Sequence, residues 1–329
     1  MTIKPIQWGI LGCGGIANSF ARSLHLLPDG ILLAGASRTP GRADEFVAKH
    51  SAKRAYSDYK SFLADSDIEA VYVGTTHNFH YDNVKRCLEN GKHVLCEKPF
   101  TLNTSQARKL VDLAKKNNCF LMEAMWTRFL PAITRLQELL AQSVIGEVRA
   151  VRADFCADGE FDKSHRMRNK SLAGGALLDL GVYPITFADI VFNATPERIQ
   201  SSAFIGDTKV DDRSFYLLDY PDGRHAQLSS SFTHRAENDA FVHGTKGYIR
   251  VPKFWMTEGL EIHRTGAEPE IISLPFRNNE GFQYEIAHAM QCIREGKLES
   301  DVHPLSKTLS IMQVMDTLRE QWGLVYPEE

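Results

Sequence analysis

The sequence lacks an excess of charge of either sign. Against 41 Asp and Glu residues stand 38 Lys and Arg residues, so the formal net charge of the 329-residue chain is −3. A protein that binds nucleic acid or an anionic membrane through its overall charge needs a basic excess, and this chain has none. We therefore expect no nucleic-acid partner and no membrane partner.

Other familiar signals are missing as well. Met1–Pro5 shows no basic leader followed by an apolar core, so we expect no secretory signal. We find no apolar run near the roughly 18 residues that suggest a membrane span. The cysteines are scattered, with no CxxC motif and no close Cys/His spacing: Cys13, Cys87, Cys96, Cys119, Cys156 and Cys292. We expect reduced structural thiols, no zinc or other metal, and a cytoplasmic location.

What is present in the first part of the chain is an alternation of short apolar runs and helical stretches. The runs are Ile6–Leu11, Ile31–Ala36, Ala70–Val73, His93–Cys96 and Phe120–Met122. Continuous apolar strands between helices are typical of a parallel sheet covered on both faces. The amphipathic stretches include Ala107–Lys116, for which Asn103 or Thr104 is a plausible N-cap. We predict a doubly wound α/β domain of the Rossmann type over residues 1–123.

After Gly146 the pattern changes to short strands joined by tight turns. The predicted strands are Glu147–Phe155, Arg198–Ile205, Phe215–Tyr220, Ala226–Phe232 and Tyr248–Val251. The predicted helices are about Gly174–Phe192, Glu280–Glu295 and Pro304–Trp322. Turn-linked strands of this kind indicate an antiparallel arrangement. We predict an α+β domain with a large, mostly antiparallel open sheet over residues 124–329.

A glycine-rich turn follows the first predicted strand and opens a helix. Its residues fit the pattern G-x-G-x-x-A: Gly12, Cys13, Gly14, Gly15, Ile16 and Ala17. Gly12 permits a tight turn, Gly14 lets the backbone approach a pyrophosphate, and Ala17 allows close packing of helix on strand. The helix N-terminus supplies free N–H groups to the phosphates. In this position the pattern predicts a dinucleotide-binding site.

The end of the second strand discriminates between the two nicotinamide cofactors. An NAD site usually places Asp or Glu there, to accept hydrogen bonds from the ribose 2′-hydroxyl. Here the strand ends in Ser37 and Arg38, and Arg42 follows soon after. Arginine binds a 2′-phosphate through charge-assisted hydrogen bonds. We expect NADP, although Arg38 taken alone is also compatible with a solvated loop residue.

Two further segments carry ionisable side chains in positions suited to catalysis. Lys98 follows a strand of the parallel sheet, at the edge where ligands bind in doubly wound folds, although a lysine there is most often solvated. Asp179 lies in an apolar helical segment, where a carboxylate needs a specific partner. Tyr183 lies four residues later, on the same face of a regular helix. The pattern leaves open a structural role for both Asp179 and Tyr183.

Three segments of the first half together resemble the glucose–fructose oxidoreductase/inositol dehydrogenase/MocA family. They are Thr76–His80, Glu89–Val94 and Glu97–Pro99, and Gly244–Ile249 extends the likeness into the second half. The resemblance implies that Lys98 is catalytic. It also implies that the preceding segments line the nicotinamide ribose, through Thr75, Thr76, Asn78, His80, Glu97 and Lys98. The family usually has proline where this chain has His77, a departure that concerns local loop geometry.

The resemblance also assigns roles to the apolar helix. Family members carry an aspartate followed four residues later by histidine or tyrosine, and the second residue is the acid/base. By this likeness Tyr183 is the general acid/base, Lys98 lowers its pKa and orients the substrate hydroxyl, and Asp179 positions the reacting group. The chemistry is reasonable because a tyrosine titrates near about 10 and a nearby ammonium favours the phenolate.

Three further segments, Glu123–Pro131, Gly174–Pro184 and Gln321–Pro327, resemble one branch in particular, that of the trans-1,2-dihydrobenzene-1,2-diol dehydrogenases and NADP-dependent xylose dehydrogenases. Their aromatic pocket corresponds here to Trp126, Phe155 and Trp255, each of which is also compatible with plain core. Arg128 either binds substrate or forms an ion pair. The resemblance implies NADP-linked oxidoreduction of a small cyclic alcohol or sugar, and a homodimer formed through the C-terminal sheet. The alternatives are a sugar–sugar oxidoreductase that retains NADP and a non-enzymatic dinucleotide sensor.

Overall fold

The computed structural model describes residues 4–159, 161–276, 280–327 and 329. It divides into two compact units. The first contains Met1–Trp126 and Arg277–Leu309, and the second contains Thr127–Phe276 and Ser310–Glu329.

The first unit is built on a parallel six-stranded sheet. Its strands are β1 (Ile6–Leu11), β2 (Gly30–Ala36), β3 (Arg54–Tyr56), β4 (Ala70–Val73), β5 (His93–Glu97) and β6 (Leu121–Ala124). Their order is β3-β2-β1-β4-β5-β6, with every neighbouring pair parallel. This is the order of a dinucleotide-binding Rossmann sheet, and it confirms the predicted fold class. The strand β3 was not predicted.

Amphipathic helices accompany this sheet. They are α1 (Gly15–Leu24), α2 (Arg42–Lys49), α3 (Tyr59–Ala64), α4 (His80–Glu89) and α5 (Thr104–Lys116). Helix α5 begins after Asn103, whose side chain accepts a hydrogen bond from the Gln106 N–H at 2.9 Å, so Asn103 is the N-cap. Buried positions recur along α5 at Ala107, Leu110, Val111 and Ala114, which is the spacing of one helix face.

The unit boundaries differ from the predicted division after residue 123. The first stretch of the first unit ends at Trp126, and α8 (Gln283–Arg294) also belongs to this unit rather than to the second. Contacts within the unit explain why. Arg294 forms an ion pair with Asp29 at 2.7 Å, and the Leu298 carbonyl accepts a hydrogen bond from the Leu121 N–H at 3.0 Å. A division made from chain order alone does not anticipate such a return of the chain.

The second unit contains an eight-stranded sheet. Its strands are β7 (Val148–Cys156), β8 (Arg198–Ile205), β9 (Asp211–Asp219), β10 (His225–Ser231), β11 (Ala240–Gly244), β12 (Gly247–Val251), β13 (Gly259–Arg264) and β14 (Glu270–Ser273). The order is β14-β13-β12-β11-β7-β10-β9-β8. Only β7 and β10 pair in parallel among these strands, which confirms the prediction of a large, mostly antiparallel sheet.

The remaining helices are α6 (Pro131–Ala141), α7 (Val182–Phe192) and α9 (Leu305–Trp322). Directly before α7, residues Leu177–Gly181 form a short π-helical segment. The stretch Lys170–Phe192 has the length and mean hydropathy of a membrane-spanning helix, so the expectation that the chain contains no such apolar stretch was wrong. In its most apolar window 94% of the residues are buried, as expected of a core helix in a folded domain. All six cysteines are buried free thiols.

Candidate active site

The predicted phosphate loop lies between β1 and α1. Gly12 has a φ of +100°, and a Cβ there would lie 2.9 Å from the Gly74 carbonyl, so glycine is required. A Cβ at Gly14 or Gly15 would meet nothing within 4 Å, so the backbone there borders open space. Ala17, in the first turn of α1, is fully buried. The loop glycines and Ala17 therefore have the backbone freedom and the close packing on which the predicted phosphate loop depends.

The remaining loop residues differ in exposure. Ile16 is one of the exposed large apolar residues, at 37%. The Cys13 thiol is buried and lies 3.5 Å from the Ala36 carbonyl oxygen as a donor. Burial raises the pKa of Cys13 to about 12, while the charge of Arg42 opposes this shift. Cys13 thus contributes a small neutral side chain, and its backbone is the part available to a ligand.

The residues predicted to select NADP lie just beyond β2. The buried Ser37 hydroxyl accepts a hydrogen bond from the Thr39 N–H at 3.2 Å. Arg38 is exposed, and its guanidinium carbon lies 4.6 Å from the ring centroid of Phe79 and 5.5 Å from that of Tyr59. The Arg38 guanidinium thus makes cation–π contacts with two aromatic rings, while the residue as a whole remains exposed. Exposed Arg42 opens α2.

The segment after β4 is held by its own polar side chains. Thr76 donates to Asn78 at 2.8 Å, and Asn83 donates to the Thr75 hydroxyl at 3.2 Å. His80 is fully buried, with Nδ1 2.8 Å from the Pro99 carbonyl oxygen and Nε2 3.1 Å from the Thr75 carbonyl oxygen. Burial is the main reason that the pKa of His80 falls to about 4, so the ring is neutral. A neutral ring has one N–H and can donate to only one of these two carbonyl oxygens, so His80 is packed between the two loops and does not present its ring to solvent.

The turn that carries Lys98 is anchored from beneath. Glu97 is buried, accepts a hydrogen bond from the Tyr72 hydroxyl, and accepts another from the Lys98 N–H at 3.2 Å. The Lys98–Pro99 peptide is cis. Glu97 therefore holds the backbone of the turn, while the Lys98 side chain is partly exposed.

Two other buried carboxylates lie in the first unit, and one of them, Glu123, supports the same turn. Buried Glu123 accepts hydrogen bonds from the Phe100 N–H at 3.1 Å and from the Thr308 hydroxyl at 2.9 Å. Glu285 on α8 is fully buried, and its two carboxylate oxygens make no hydrogen bond within the described residues. Burial, reinforced by the charges of Glu97 and Glu123, holds the pKa of Glu285 well above its ordinary value. Glu285 therefore resists ionisation more strongly than a solvated glutamate does.

Asp179 has the partner that its burial requires. Arg166 donates two hydrogen bonds to it, from Nη1 to Oδ1 at 3.2 Å and from Nη2 to Oδ2 at 3.1 Å. This fork-to-fork pairing is specific to arginine and carboxylate. Asp179 lies in the π-helical segment, so the regular α-helical spacing assumed between it and Tyr183 does not hold there. Wider π turns occur frequently at functional sites.

Tyr183 lies in the first turn of α7 and is 7% exposed. Its ring meets Phe155 edge-on, with the centroids 5.4 Å apart. Phe155 stacks in turn on Trp255, with the centroids 4.1 Å apart and an interplanar angle of 20°. Three residues chosen from the sequence thus form one aromatic group within the second unit. We call these three residues, Tyr183, Phe155 and Trp255, the aromatic group.

The turn before the π-helical segment is tightly enclosed. Gly175 has a φ of +123°, and a Cβ there would lie 2.2 Å from Oδ1 of Asp211, so no other residue fits. Oδ2 of Asp211 accepts a hydrogen bond from the Leu177 N–H at 2.7 Å, and the Tyr326 hydroxyl donates to the Gly174 carbonyl at 2.6 Å. Burial raises the pKa of Asp211 to about 7. The C-terminal segment and β9 together fix the start of this helix.

The other two predicted pocket residues have partners of their own. Trp126 stacks on Phe282 within the first unit, with the centroids 4.8 Å apart. Of the two roles left open for Arg128, the structure supplies an ion pair: its buried guanidinium bonds the carboxylate of Asp189 on α7.

Several supporting residues were not identified from the sequence. Arg166 was missed because a long irregular segment separates it from Asp179. Asp211 carried a signal that was not used, since it begins a strand with Asp212 beside it and both are buried. Adjacent acids in a buried strand are unusual and point to a polar partner. For Glu285 the helix pattern gave no comparable signal.

Two family models match the chain. The NAD-binding Rossmann domain of the Gfo/Idh/MocA oxidoreductases matches residues 6–125, and the C-terminal domain of the same family matches residues 133–250. The trans-1,2-dihydrobenzene-1,2-diol dehydrogenase of Xenopus tropicalis is 37% identical over 98% of this chain and 99% of its own. The Homo sapiens enzyme of that name is 36% identical over the same shares.

Solved structures show the same architecture. KijD10, a 3-ketoreductase from Actinomadura kijaniata in complex with NADP and TDP-benzene, is 28% identical with a TM-score of 0.86. The match covers 96% of this chain and 98% of that one. An aldose-aldose oxidoreductase from Caulobacter crescentus has a TM-score of 0.88 at 22% identity, covering 97% and 98% of the two chains. The latter likeness concerns the fold alone.

Proposed function

The chain belongs to the Gfo/Idh/MocA oxidoreductase family, and from this premise we propose that it is an NADP-dependent dehydrogenase of small cyclic substrates. It transfers a hydride between the nicotinamide and a secondary alcohol or lactol carbon. The substrate is a trans-dihydrodiol or an aldose sugar. The relatives named trans-1,2-dihydrobenzene-1,2-diol dehydrogenases, which align with this chain over nearly its whole length, support this class of reaction.

The observation that carries the proposal is the aromatic group. Phe155 touches both the proposed acid/base, Tyr183, and the stacked ring of Trp255. Aromatic faces bind a carbocyclic diol or the apolar face of a pyranose, and they exclude water. A proton-transferring phenol beside such faces suits oxidation of a ring carbon better than that of an open, fully hydrated polyol.

NADP is the cofactor that the first unit fits. The open backbone at Gly14 and Gly15 suits the pyrophosphate, and Ser37 and exposed Arg38 follow β2, the strand whose end we assign to the 2′-phosphate. NADP, when bound, supplies the hydride acceptor or donor. We assign Arg38, with Arg42, to the 2′-phosphate because each offers a cation and several donors at the exposed end of β2.

The protein's own residues handle the proton. In oxidation, the Tyr183 phenolate accepts the proton of the substrate hydroxyl as the C–H bond gives up its hydride; in reduction, the phenol returns that proton. We assign Lys98 to the substrate hydroxyl, where its ammonium stabilises the negative oxygen as it develops. Asp179 orients the reacting group, and the Arg166 fork fixes its carboxylate.

A substrate panel tests the proposal. We expect NADPH formation, followed by absorbance, with at least one of D-xylose, D-glucose, inositol and a trans-dihydrodiol, and much slower turnover with NAD. If NADP binds but no panel member is oxidised, and none of the matching carbonyl compounds is reduced, the proposed substrate class is wrong, and a reductase of another carbonyl compound or a dinucleotide sensor is favoured. NADP that stays bound through purification and dialysis favours the sugar–sugar exchange.

We also propose a cytoplasmic homodimer formed through the open sheet. One face of β8 and β9 exposes an apolar patch, formed by Phe204, Phe215 and Leu217, which are 50%, 54% and 43% exposed. Exposed apolar patches often mark protein–protein interfaces. The balanced charge supports the absence of nucleic-acid and membrane partners. Light scattering of the wild type should give twice the chain mass, and Leu217→Lys should give a monomer. A monomeric wild type contradicts the dimer.

A further inference from the structure

A cluster of histidine, cysteine and aspartate lies in the first unit, apart from the residues assigned to catalysis. His288 and Cys292 are one turn apart on α8, and Asp301 follows in the next loop. The His288 Nε2 atom lies 3.3 Å from the Cys292 sulfur and 3.4 Å from Oδ1 of Asp301. One donor atom from each residue lies within 4.8 Å of the other two.

These separations are close to the edges of a zinc coordination tetrahedron. Zinc binds nitrogen at about 2.05 Å and thiolate sulfur at about 2.3 Å, so tetrahedral angles separate N from S by about 3.6 Å and N from O by about 3.4 Å. The observed values are 3.3 and 3.4 Å. These two edges therefore fit a zinc ion, and the third edge, from the Cys292 sulfur to a carboxylate oxygen of Asp301, is within 4.8 Å.

The surroundings fix the third ligand in position. Lys297 bonds the other carboxylate oxygen of Asp301, Oδ2, at 3.1 Å, which leaves Oδ1 directed at His288. The Ser300 hydroxyl accepts hydrogen bonds from the Val302 and His303 N–H groups at 3.0 and 2.8 Å, so the loop is held rigidly. Such outer contacts orient metal ligands. Ser300 also bonds the His288 Nε2 at 2.8 Å, a contact that a metal would replace.

We propose that His288, Cys292 and Asp301 form a three-ligand site for a zinc-like divalent ion. The mixed N, S and O donors favour zinc or cobalt over magnesium or calcium, which take oxygen alone. Three protein ligands leave a fourth position for water. This site was not expected from the sequence, because a His-x-x-x-Cys pair on a helix matches no common zinc motif and the third ligand lies nine residues farther on.

The bound ion has a structural consequence. It links α8 to the loop that contains His303, whose Nε2 atom lies 3.1 Å from Glu123 Oε2. Loading should therefore stabilise the first unit against unfolding, since an ion that binds only the folded state adds to its stability. The inference is independent of the proposed function, because none of the three ligands is assigned to the reaction.

Cobalt is the probe for the test. The purified, chelator-treated full chain is titrated with Co²⁺, and we expect a thiolate-to-cobalt charge-transfer band that saturates at one equivalent and disappears on addition of Zn²⁺. Cys292→Ser and His288→Gln should lose the band. Cys119→Ser, which removes another buried thiol of the first unit, should keep it. Zinc should raise the melting temperature of the wild type but not that of Cys292→Ser.

Asp301→Asn guards against misfolding of the other variants, because Asp301 is 64% exposed. It should weaken cobalt binding at least about tenfold, since loss of a ligand exceeds the usual effect of losing an outer contact. An absent band in the wild type, a band that persists in Cys292→Ser, or unchanged affinity in Asp301→Asn each overturns the site.

Discussion

Asp211 makes the stability of the second unit depend on pH in a way that a single substitution exposes. Its carboxylate is fully buried, accepts the Leu177 N–H, and has a pKa raised by burial from 3.8 to about 7. Below pH 3.8 both folded and unfolded chains hold the proton. As the pH rises toward 7, the unfolded chain releases it while the folded chain retains it, so stability is lost progressively through that interval.

The size of the effect follows from the two pKa values. Each pKa unit corresponds to about 1.36 kcal/mol, so the interval from 3.8 to about 7 corresponds to about 4 kcal/mol. Asp211→Asn carries no charge at any pH and keeps an oxygen to accept the Leu177 N–H. The free energy of unfolding of the variant, relative to the wild type, should therefore rise by up to about 4 kcal/mol between pH 4 and pH 8.

Urea denaturation at fixed pH values between 4 and 8 measures this difference. Hydrogen exchange of peptides covering 175–183, compared between variant and wild type at each pH, localises it to the start of the helix. Asp211→Ala is the control: it also removes the titrating group but lacks the acceptor, so it should be about 1–3 kcal/mol less stable than Asp211→Asn at every pH. A difference between Asp211→Asn and the wild type that stays constant with pH, or falls as pH rises, refutes the reasoning.

Three further predictions concern other buried or charged groups. Because the pKa of Glu285 is raised in the folded chain, its contribution to stability is lost as pH rises above about 4.5. Glu285→Gln should therefore raise the melting temperature more at pH 8 than at pH 5. An equal shift at the two pH values contradicts this. Arg166→Met should lower the free energy of unfolding by about 1–2 kcal/mol in urea titrations, because Asp179 loses two hydrogen bonds to a half-exposed arginine. Arg166→Lys should recover part of that loss. An unchanged free energy of unfolding in Arg166→Met contradicts the pairing. Arg38→Ala should raise KM for NADP about 10- to 100-fold while leaving that for NAD unchanged, since charge-assisted bonds contribute about 1.5–3 kcal/mol; equal effects on both cofactors would remove Arg38 from the 2′-phosphate site.

Most of the fold could be predicted because many of its strands are uninterrupted apolar runs in the sequence. β1, β4 and β8 have the predicted bounds, and the parallel and mostly antiparallel sheets are both confirmed. β3 is only Arg54–Tyr56, too short and too polar to show a period. β14 is the edge strand, and its four residues are exposed or only partly buried; β13 is six residues long and carries only two fully buried apolar residues, Leu260 and Ile262. Return of α8 to the first unit depends on long-range contacts that no local pattern records.

The candidate site divides in the same way. Residues fixed by chain geometry, such as the phosphate-loop glycines, were identifiable because their backbone requirements show in the sequence. Residues that act through distant partners were not: the Arg166 fork and the Asp211 cap become visible only when loops and strands meet in space. The π-helical segment was equally hidden, since Leu177–Gly181 has the composition of an ordinary buried helix.

The most direct test of the proposed chemistry is single-turnover oxidation by Tyr183→Phe with the best substrate of the panel. The substitution removes one hydroxyl from the aromatic group and leaves its packing with Phe155 in place. We predict that turnover falls at least about a hundredfold, with NADP affinity unchanged, while Tyr248→Phe on β12 behaves as the wild type. Turnover of Tyr183→Phe close to the wild-type value would contradict the assignment of Tyr183 as the acid/base.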